Sequence, residues 1–311
     1  MHNVNSPAET IISVRDLSKR FGQQFAVHDL SLTLLKGEIL GLVGANGGGK
    51  TTTLRMLAGL LKPDSGTGTV LGCNLFHDNQ QIRQRIGYLS QGFSLYPTLT
   101  VWENLRFRAD VFSIEHPKPV CNDIISKFHL EPYRHTRAEQ LSGGWKTLLQ
   151  VAAVTVHHPE LILMDEPTTG LDVSHRQIVW QHFTDLASTG IGLVISTHDL
   201  NEAHRCSQVA LLAAGTLQAM GSVQSIIDRS ESRVLQISGN DLSLLRDQVL
   251  QYDGVRSCYM QGTILRVILE PRAIEVISQL ASSRTCTASL SNMTLEDAAL
   301  AIAAAHTDKA A

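Results

Sequence analysis

The chain has 311 residues, 43% of them hydrophobic, and a formal net charge of −3 with a pI near 6.5. This length favours two domains, because a single hydrophobic core usually stops growing at about 250–300 residues. The slightly acidic net charge argues against a global basic field that would attract nucleic acid or anionic lipid. The sequence contains no run of about 18 apolar residues, so we predict no membrane span.

The cysteines and the first residues indicate a cytosolic protein. The five cysteines are widely spaced and odd in number, and no two of them form a Cys-x-x-Cys pair, so we expect reduced thiols. The first residues also lack the basic segment followed by an apolar segment that is typical of a secretory signal.

The first ninety residues alternate short strand-like runs with turns. Residues 30–34 have the period of two that predicts a strand with one buried face. Residues 39–43, Ile-Leu-Gly-Leu-Val, form a continuous apolar run and predict a strand that is buried on both faces.

A phosphate-binding loop follows this buried strand directly. Glycines let successive backbone N–H groups converge on phosphate oxygens, Lys50 adds a point charge, and the Thr51 hydroxyl suits Mg²⁺. The alternative is a glycine-rich turn without a ligand. However, the segment matches the whole phosphate-loop pattern and lies between a predicted strand and a predicted helix, which favours binding of a nucleoside triphosphate. The residues predicted to bind it are Gly44, Asn46, Gly47, Gly48, Gly49, Lys50, Thr51 and Thr52. Leu54, Leu57 and Leu61 predict a helix after the loop, which residues 62–66 then end.

Helical patterns dominate between about residues 92 and 158 and predict a helical subdomain. Thr100 and Glu103 have the spacing of a capping box, and we expect turns near Pro117 and Pro119. Further along, Leu141-Ser142-Gly143-Gly144 precedes an apolar helical face formed by Leu148, Leu149, Ala152, Ala153 and Val156. Ser142 and the two glycine amides thus predict a second anion site, although alone this tetrapeptide is an ordinary helix start.

Two acidic residues follow the apolar run at 161–164, at the end of a strand where open α/β sheets bind ligands. We expect Asp165 to hold Mg²⁺, directly or through water, and Glu166 to polarise the attacking water. The alternative is an acidic pair that only favours the next helix. A second apolar run at 191–195 predicts another buried parallel strand.

With the phosphate loop, the Leu-Ser-Gly-Gly segment and the Asp-Glu pair in this order, residues 9–228 resemble the ATP-binding subunits of ABC transporters. The resemblance implies that Gln91 contacts Mg²⁺ and senses the membrane partner. It also implies that Asp172 lies in the loop that faces the other subunit. By the same resemblance His198 contacts the γ-phosphate, and Phe21 stacks on adenine.

The sequence departs from the family pattern at two positions. Trp145 stands where the family usually has glutamine, and Leu148 where arginine is frequent. Neither change removes a catalytic group.

The resemblance further implies that one chain cannot complete its own site. Ser142, Gly143, Gly144 and Asp172 would contact the ATP held by a second ABC subunit, identical or related, in a head-to-tail dimer. The expected cofactors are ATP and Mg²⁺, and the expected function is the ATP-hydrolysing motor of a membrane exporter. This motor would be attached to the cytoplasmic face of the membrane by binding to a separate permease. It would bind no nucleic acid.

Three alternatives stay open at this point. A soluble ABC-type ATPase that acts on DNA would separate the two motifs by a long coiled coil, and one that acts on ribosomes would carry two cassettes. A simple P-loop kinase or GTPase would make the Leu-Ser-Gly-Gly segment a coincidence.

Residues 233–306 predict a small α+β domain with the order βαββαβ after the P-loop α/β domain. The expected strands are 234–237, 255–260, 263–269 and 286–290, with helices at 242–249, 273–280 and 295–305. Gln261 and Gly262 are the predicted turn of a hairpin. The segment Thr294-Leu295-Glu296-Asp297 resembles an ending common in the daunorubicin-resistance and nodulation-factor type exporter ATPases, which favours export over import.

Overall fold

The computed structural model describes residues 9–310, with side chains described as far as residue 305. The chain forms two compact units, which divide between Leu217 and Gln218. In the described part of the chain the strands are β1 (Thr10–Phe21), β2 (Gln24–Leu35), β3 (Ile39–Val43), β4 (Ser65–Val70), β5 (Cys73–Asn74), β6 (Ile86–Leu89), β7 (Leu161–Asp165), β8 (Gly192–Thr197), β9 (Gln208–Ala213), β10 (Thr216–Gly221), β11 (Arg233–Ser238), β12 (Val255–Gln261), β13 (Ile264–Leu269) and β14 (Thr287–Ser291).

Helices occur in both units. Over the same residues they are α1 (Lys50–Leu57), α2 (Asn79–Arg85), α3 (Val101–Val111), α4 (Pro117–Lys127), α5 (Gly143–Thr155), α6 (Val173–Ser188), α7 (Leu200–Ala203), α8 (Val223–Arg229), α9 (Leu242–Val249), α10 (Ile274–Ser283) and α11 (Leu295–Ala310), with 3₁₀ turns at Glu131–Tyr133, Ala138–Gln140 and Pro271–Ala273. No helix in this described range is both long and apolar enough to cross a bilayer.

The compact units divide earlier than the linker expected around residues 228–232. The boundary falls within β10, and α8 packs against α11 in the second unit. The domain extents 9–228 and 233–306 stay a prediction.

A parallel sheet carries the first unit. Strands β9, β3, β8, β7 and β6 lie side by side in that order. Every residue of β3, β7 and β8 is buried, which confirms the three buried parallel strands expected from the apolar runs. Because these three neighbours run in one direction, the segments that follow them emerge at one edge of the sheet.

A second, antiparallel sheet lies in the same unit, with the order β2-β1-β4-β5. Strands β1 and β2 form a hairpin in which Phe21 pairs with Gln24 and Arg20 pairs with Phe25. This hairpin brings Phe21 and Phe25 close together in the fold.

The predicted helical subdomain is formed by α3, α4 and α5, which pack on one another around buried residues such as Leu105, Ile125 and Leu149. The capping box at Thr100 and Glu103 is confirmed by reciprocal hydrogen bonds between the two residues. The helices are interrupted at residues 112–116, as expected near Pro117, but Pro117 itself begins α4 and Pro119 lies within that helix. Proline is tolerated in the first turn of a helix, where its missing N–H would have had no intrahelical partner.

The helix after the phosphate loop is one turn shorter than its apolar spacing predicts. Helix α1 ends at Leu57, and Leu61 lies outside it. Gly59 adopts a left-handed φ of 63°, and the N–H groups of Leu60 and Leu61 turn back to the carbonyl of Arg55. A glycine in this conformation ends a helix at little cost.

The second unit has the expected order βαββαβ, formed by β11, α9, β12, β13, α10 and β14, with α11 after it. The sheet order is β12-β13-β11-β14 and all pairs are antiparallel. The hairpin turn lies one residue later than predicted, at Gly262 and Thr263, because Gln261 pairs with Ile264. Gly262 has a φ of 60° and so takes the first of the two turn positions, which glycine favours.

Candidate active site

The phosphate loop connects β3 to α1, as the sequence predicts. Gly49 adopts a left-handed φ of 95°, and a Cβ there would lie 2.6 Å from the carbonyl oxygen of Ala26. Lys50 is the first residue of α1, and its Nζ donates to the carbonyls of Gly44 at 2.8 Å and Ala45 at 3.1 Å. The lysine ammonium is therefore held inside the loop, over the N-terminus of a helix.

A cavity of about 340 Å³ opens beside this loop. Phe21, which is 56% exposed, and Phe25, which is 38% exposed, contribute aromatic rings to its wall. The cavity is lined by Phe21, Gln24, Phe25, Ala26, Gly47, Gly49, Thr51 and Thr52. Phe25 was missed by the sequence reasoning, because its place beside the cavity follows from its pairing with Arg20 in the β1–β2 hairpin. Gly44, Asn46 and Gly48 lie in the loop but not among the lining residues.

Three charged or titratable side chains converge where β3, β7 and β8 end. One carboxylate oxygen of Glu166 lies 3.6 Å from Lys50 Nζ, and the other lies 3.2 Å from His198 Nδ1. The Glu166 side chain is 9% exposed and the His198 side chain is 52% exposed. The structure thus places a carboxylate between an ammonium and an imidazole, at the mouth of the phosphate loop.

Glu166 is held by its own backbone as well as by its side chain. It adopts a left-handed φ of 49°, which is uncommon for a residue other than glycine. Its N–H donates to Ser196 Oγ at 2.9 Å, and Ser196 Oγ donates to Asp165 Oδ1 at 2.7 Å. Thr169 Oγ1 donates to Glu166 Oε2 at 3.2 Å. Strained backbone of this kind is found preferentially at functional sites.

Ser196 links the two acidic residues, and sequence reasoning missed it. It lies on β8 next to the strand end from which His198 emerges, and it is fully buried. Asp165 is 3% exposed, so its carboxylate needs this hydrogen bond. The available signal was a small hydroxyl residue on a strand beside β7.

Gln91 does not join this cluster. It lies in the loop after β6 and is exposed. Within residues 9–305 no hydrogen bond connects it to Lys50, Glu166 or His198. Its contact with Mg²⁺ stays a prediction.

The Leu-Ser-Gly-Gly segment forms the start of α5. Ser142 occupies the N-cap position, is exposed, and makes no capping hydrogen bond with its side chain. Gly143 is also exposed, whereas Gly144 lies against the ring of His175 so closely that a Cβ would overlap the ring. A 13-residue helix thus presents free backbone N–H groups and a free hydroxyl to solvent.

Asp172 lies close to this helix start through His175. It is the N-cap of α6 and accepts from the His175 N–H at 3.0 Å, and its second oxygen lies 2.6 Å from His175 Nδ1. The His175 backbone N–H, and then its ring, lower the pKa of Asp172 below its usual value. Asp172 and the glycines of the signature segment therefore form a second group of predicted site residues.

The two departures from the family pattern have structural explanations in this second group. Trp145 packs on Tyr133 with ring centroids 4.5 Å apart, and its ring faces the edge of His175 at 6.4 Å. Leu148 is fully buried in the core of the helical subdomain.

No hydrogen bond or ion pair between described residues joins this second group to the group around Lys50. The structure therefore brings the predicted site residues together as two separate sets within one chain. One set can bind a triphosphate, and the other offers anion-binding groups to solvent.

Comparisons with known proteins identify the family to which the chain is similar. The sequence profile of the family described as "ABC transporter" matches residues 27–169. The Nod factor export ATP-binding protein I of Burkholderia lata is 36% identical over 242 residues, which cover 76% of this chain and 80% of that protein. The probable multidrug ABC transporter ATP-binding protein YbhF of Escherichia coli is 37% identical over 227 residues, which cover 71% of this chain but only 39% of YbhF.

Solved structures give the same result. An ATP-binding subunit of an ABC transporter aligns with a TM-score of 0.64 at 26% identity, over 70% of this chain and 92% of that one. A dimeric ATP-binding cassette in a post-hydrolysis state with ADP and Pi aligns with a TM-score of 0.62 at 25% identity, over 68% of this chain and 98% of that one.

Proposed function

Because this chain belongs to the ABC transporter ATP-binding proteins, a family of ATPases, we propose that it is the ATP-hydrolysing motor subunit of a membrane exporter. Two such subunits, identical or related, would enclose two ATP molecules and drive a separate permease. The observation that carries the proposal is the convergence of Lys50, Glu166 and His198 beside a glycine-rich loop.

The phosphate loop and the aromatic cavity supply the binding step. Lys50 donates to two loop carbonyls in this structure, and phosphate oxygens would replace these acceptors when ATP binds. The adenine ring would stack on Phe21 at the other end of the cavity, near Phe25. A cavity that joins aromatic rings to a phosphate loop suits a nucleotide rather than a free phosphate.

Glu166 is the group placed to accept a proton from the attacking water. In the hydrolysis step a water oxygen bonds to the γ-phosphorus, its proton goes to the carboxylate, and ADP leaves with the bridging oxygen. His198 fixes the direction of the carboxylate through their 3.2 Å contact and is exposed enough to reach the γ-phosphate as well.

The donor set near the phosphate loop fits Mg²⁺. Thr51 lines the cavity, and Asp165 offers a buried carboxylate whose orientation Ser196 fixes. A hydroxyl and one carboxylate, together with substrate phosphates and water, are the oxygen ligands that this ion prefers. Bound Mg²⁺ would neutralise charge on the phosphates. The amide oxygen of Gln91 would complete this set.

A second subunit would complete the site from the other side. The free N–H groups of α5 and the Ser142 hydroxyl can neutralise γ-phosphate oxygens, because a helix N-terminus carries partial positive charge. Asp172 lies beside that helix start and would face the same neighbour. ATP would then stabilise the dimer, and hydrolysis would release it.

The names of the relatives support export as the direction of transport. The match to this chain covers 80% of the Nod factor export ATP-binding protein I. The match to YbhF covers only 39% of that protein. We therefore place the chain at the cytoplasmic face of the membrane, held there by its permease. The competing function is a soluble ABC-type ATPase associated with ribosomes or DNA.

The variant Glu166→Gln tests the motor function. It should bind ATP and form a stable dimer in ATP and Mg²⁺, as light scattering would show, while the unmodified chain cycles back to monomer. Glu160→Gln is the matched control, since Glu160 forms an exposed pair with Arg85 at the start of β7. A Glu166→Gln chain that stays monomeric in saturating ATP would contradict the proposal.

A pull-down separates the exporter from its competitor. Recovery of a membrane permease with the tagged chain supports transport. Recovery of ribosomes or DNA instead would replace the exporter function with the soluble one.

A further inference from the structure

A network of charged side chains lies behind the site, where none of the motifs predicts one. Arg176 on α6 donates from Nη1 to Asp199 Oδ2 at 3.0 Å and from Nη2 to the Leu171 carbonyl at 3.4 Å. Its Nε lies 3.8 Å from Glu202 Oε1. One guanidinium therefore contacts two separate segments of the first unit, the loop before α6 and the start of α7.

Glu202 on α7 is the buried centre of this network. The residue is 3% exposed, and its Oε1 accepts from Thr168 Oγ1 at 2.6 Å and from Trp180 Nε1 at 3.3 Å. A buried carboxylate needs such partners, because an unpaired charge in a protein interior is strongly unfavourable.

The residues held by this network are direct neighbours of the site residues. Asp199 follows His198, and Leu171 precedes Asp172. Thr168 lies two positions after Glu166, in the turn that also contains Thr169. The network thus fixes two loops: residues 166–172 between β7 and α6, which carry Glu166 and Asp172, and the segment after β8, which carries His198.

Two atoms of the network have no hydrogen-bond partner among the described residues. Arg176 Nε is a buried donor, and Glu202 Oε2 is a buried acceptor. The two groups are complementary and belong to side chains already in contact. A small shift of Arg176 away from the Leu171 carbonyl, its longest hydrogen bond, would let Nε pair with the Glu202 carboxylate.

We propose that Arg176 and Glu202 are positioning residues that couple Asp172, at the end of its loop, to Glu166 at the start of the same loop and to His198 after β8. This inference rests on the proposed function, because the Asp172 loop would be moved by the second subunit. Contact with that subunit shifts the 171–172 loop, Arg176 exchanges the Leu171 carbonyl for Glu202, and the segments at 168 and 199 follow. Each site is thereby set for hydrolysis only when the neighbour is in place.

The test is steady-state ATP hydrolysis by the full chain with Arg176→Met. This change removes the charge and the fork of donors but keeps a long apolar stem. We expect kcat to fall about 100-fold and KM to stay near its original value, because misplaced groups lose transition-state contacts rather than ATP binding. We also expect the Hill coefficient for ATP to fall to about one, which a purely structural role would not cause.

Arg205→Met is the matched control. The Arg205 guanidinium lies 5.7 Å from the centroid of the Trp180 ring, and no hydrogen bond or ion pair between described residues joins its side chain to either loop. Its kcat and Hill coefficient should stay unchanged.

A second variant keeps the test decisive if Arg176→Met folds poorly. Arg176→Met combined with Glu202→Gln removes both charges of the pair, while the amide oxygen of the introduced glutamine can still accept from Thr168 and Trp180. This double variant should show the same loss of kcat and cooperativity. Wild-type kcat and Hill coefficient in the folded double variant would overturn the inference. If the unmodified chain itself failed to hydrolyse ATP, the proposed function would fail instead.

Discussion

Each compact unit contains a charged network with one arginine, but the two networks differ in how fully they are hydrogen bonded. In the second unit Arg266 and Tyr259 both donate to Asp297, at 2.6 Å and 2.9 Å, and Thr294 donates to it from its N–H and its hydroxyl. In the first unit Arg176 and Glu202 each keep a buried atom without a partner among the described residues.

This difference separates a network that fixes a fold from one that can change. Asp297 is fully buried and has donors for both carboxylate oxygens, so any movement would break hydrogen bonds without forming new ones. The network around Arg176 has an alternative pairing within reach. We therefore expect damage in the first unit to reduce the rate of hydrolysis, and damage in the second unit to reduce stability.

Apart from the loss of Glu166 itself, the largest effect on rate should come from His198→Ala. It removes the partner of Glu166 and a donor to the γ-phosphate, so kcat should fall about 10²- to 10³-fold while ATP still binds. Rapid-quench kinetics and nucleotide binding by fluorescence measure the two quantities. His204→Ala, at an exposed histidine nearby, should keep full activity. Equal losses in both variants would remove the special role of His198.

Asp297→Asn should cause the largest loss of stability. The change leaves Arg266, which is 4% exposed, without a counter-ion, and breaking such a buried pair costs about 3–5 kcal/mol. Urea unfolding monitored by circular dichroism would measure it. The control is Asp253→Asn, in an exposed pair with Arg272, where the expected loss is about 0–1 kcal/mol. Similar losses in both variants would contradict the structural role of the buried pair.

Acid should affect the two units in separate pH windows. Burial lowers the pKa of His157 from 6.5 to about 4, so the unfolded chain binds the proton more tightly and stability in the first unit falls as pH drops from 6.5 towards 4. Burial would raise the pKa of Asp297, but hydrogen bonds from Arg266, Thr294 and Tyr259 outweigh it and lower that pKa below 3.8. Stability from Asp297 is therefore complete above this value and is lost at lower pH.

Unfolding by urea at a series of pH values separates the two windows. His157→Gln should flatten the dependence between pH 6.5 and 4, and Asp297→Asn should flatten it below 3.8. An unchanged pH profile in either variant would show that another group is responsible.

The smallest effect should come from Tyr259→Phe. It removes one hydrogen bond to Asp297 and should cost about 1 kcal/mol at neutral pH. Burial, and then the hydrogen bond to Asp297, raise the pKa of Tyr259 from 10.0 to about 12. The folded state thus holds the phenol proton more tightly than the unfolded state does. The contribution of Tyr259 to stability is therefore lost as pH rises from 10 to 12. Spectroscopic titration of the phenol would reveal an ordinary pKa if this placement were wrong.

Local signals in the sequence predict much of this structure. The capping box at Thr100 and Glu103, the buried strands and the βαββαβ order all depend on spacings within a few residues. The errors also arise locally, because Pro117 can begin a helix as well as occupy a turn, and Gly262 can take either turn position.

Contacts between distant residues could not be predicted in the same way. Asp297 lies on α11, in a segment noticed for its resemblance to exporter ATPases, yet its partner Arg266 lies on strand β13. Arg176 likewise reaches Asp199 and Glu202 because β8 lies beside β7 in the sheet. No spacing in the sequence encodes such pairs.

The central claim is that ATP is held between the phosphate loop of one chain and the Ser142 helix of another. It is tested most directly by mixing two Glu166→Gln chains, one with Lys50→Ala and one with Ser142→Arg. Neither variant can form an intact site with a second copy of itself. The mixed pair has one intact site, in which the Ser142→Arg chain supplies Lys50 and the Lys50→Ala chain supplies Ser142. The account predicts ATP-dependent dimers, detected by energy transfer between labelled chains, only in the mixture. Equal dimer formation by each variant alone, or none in the mixture, would contradict it.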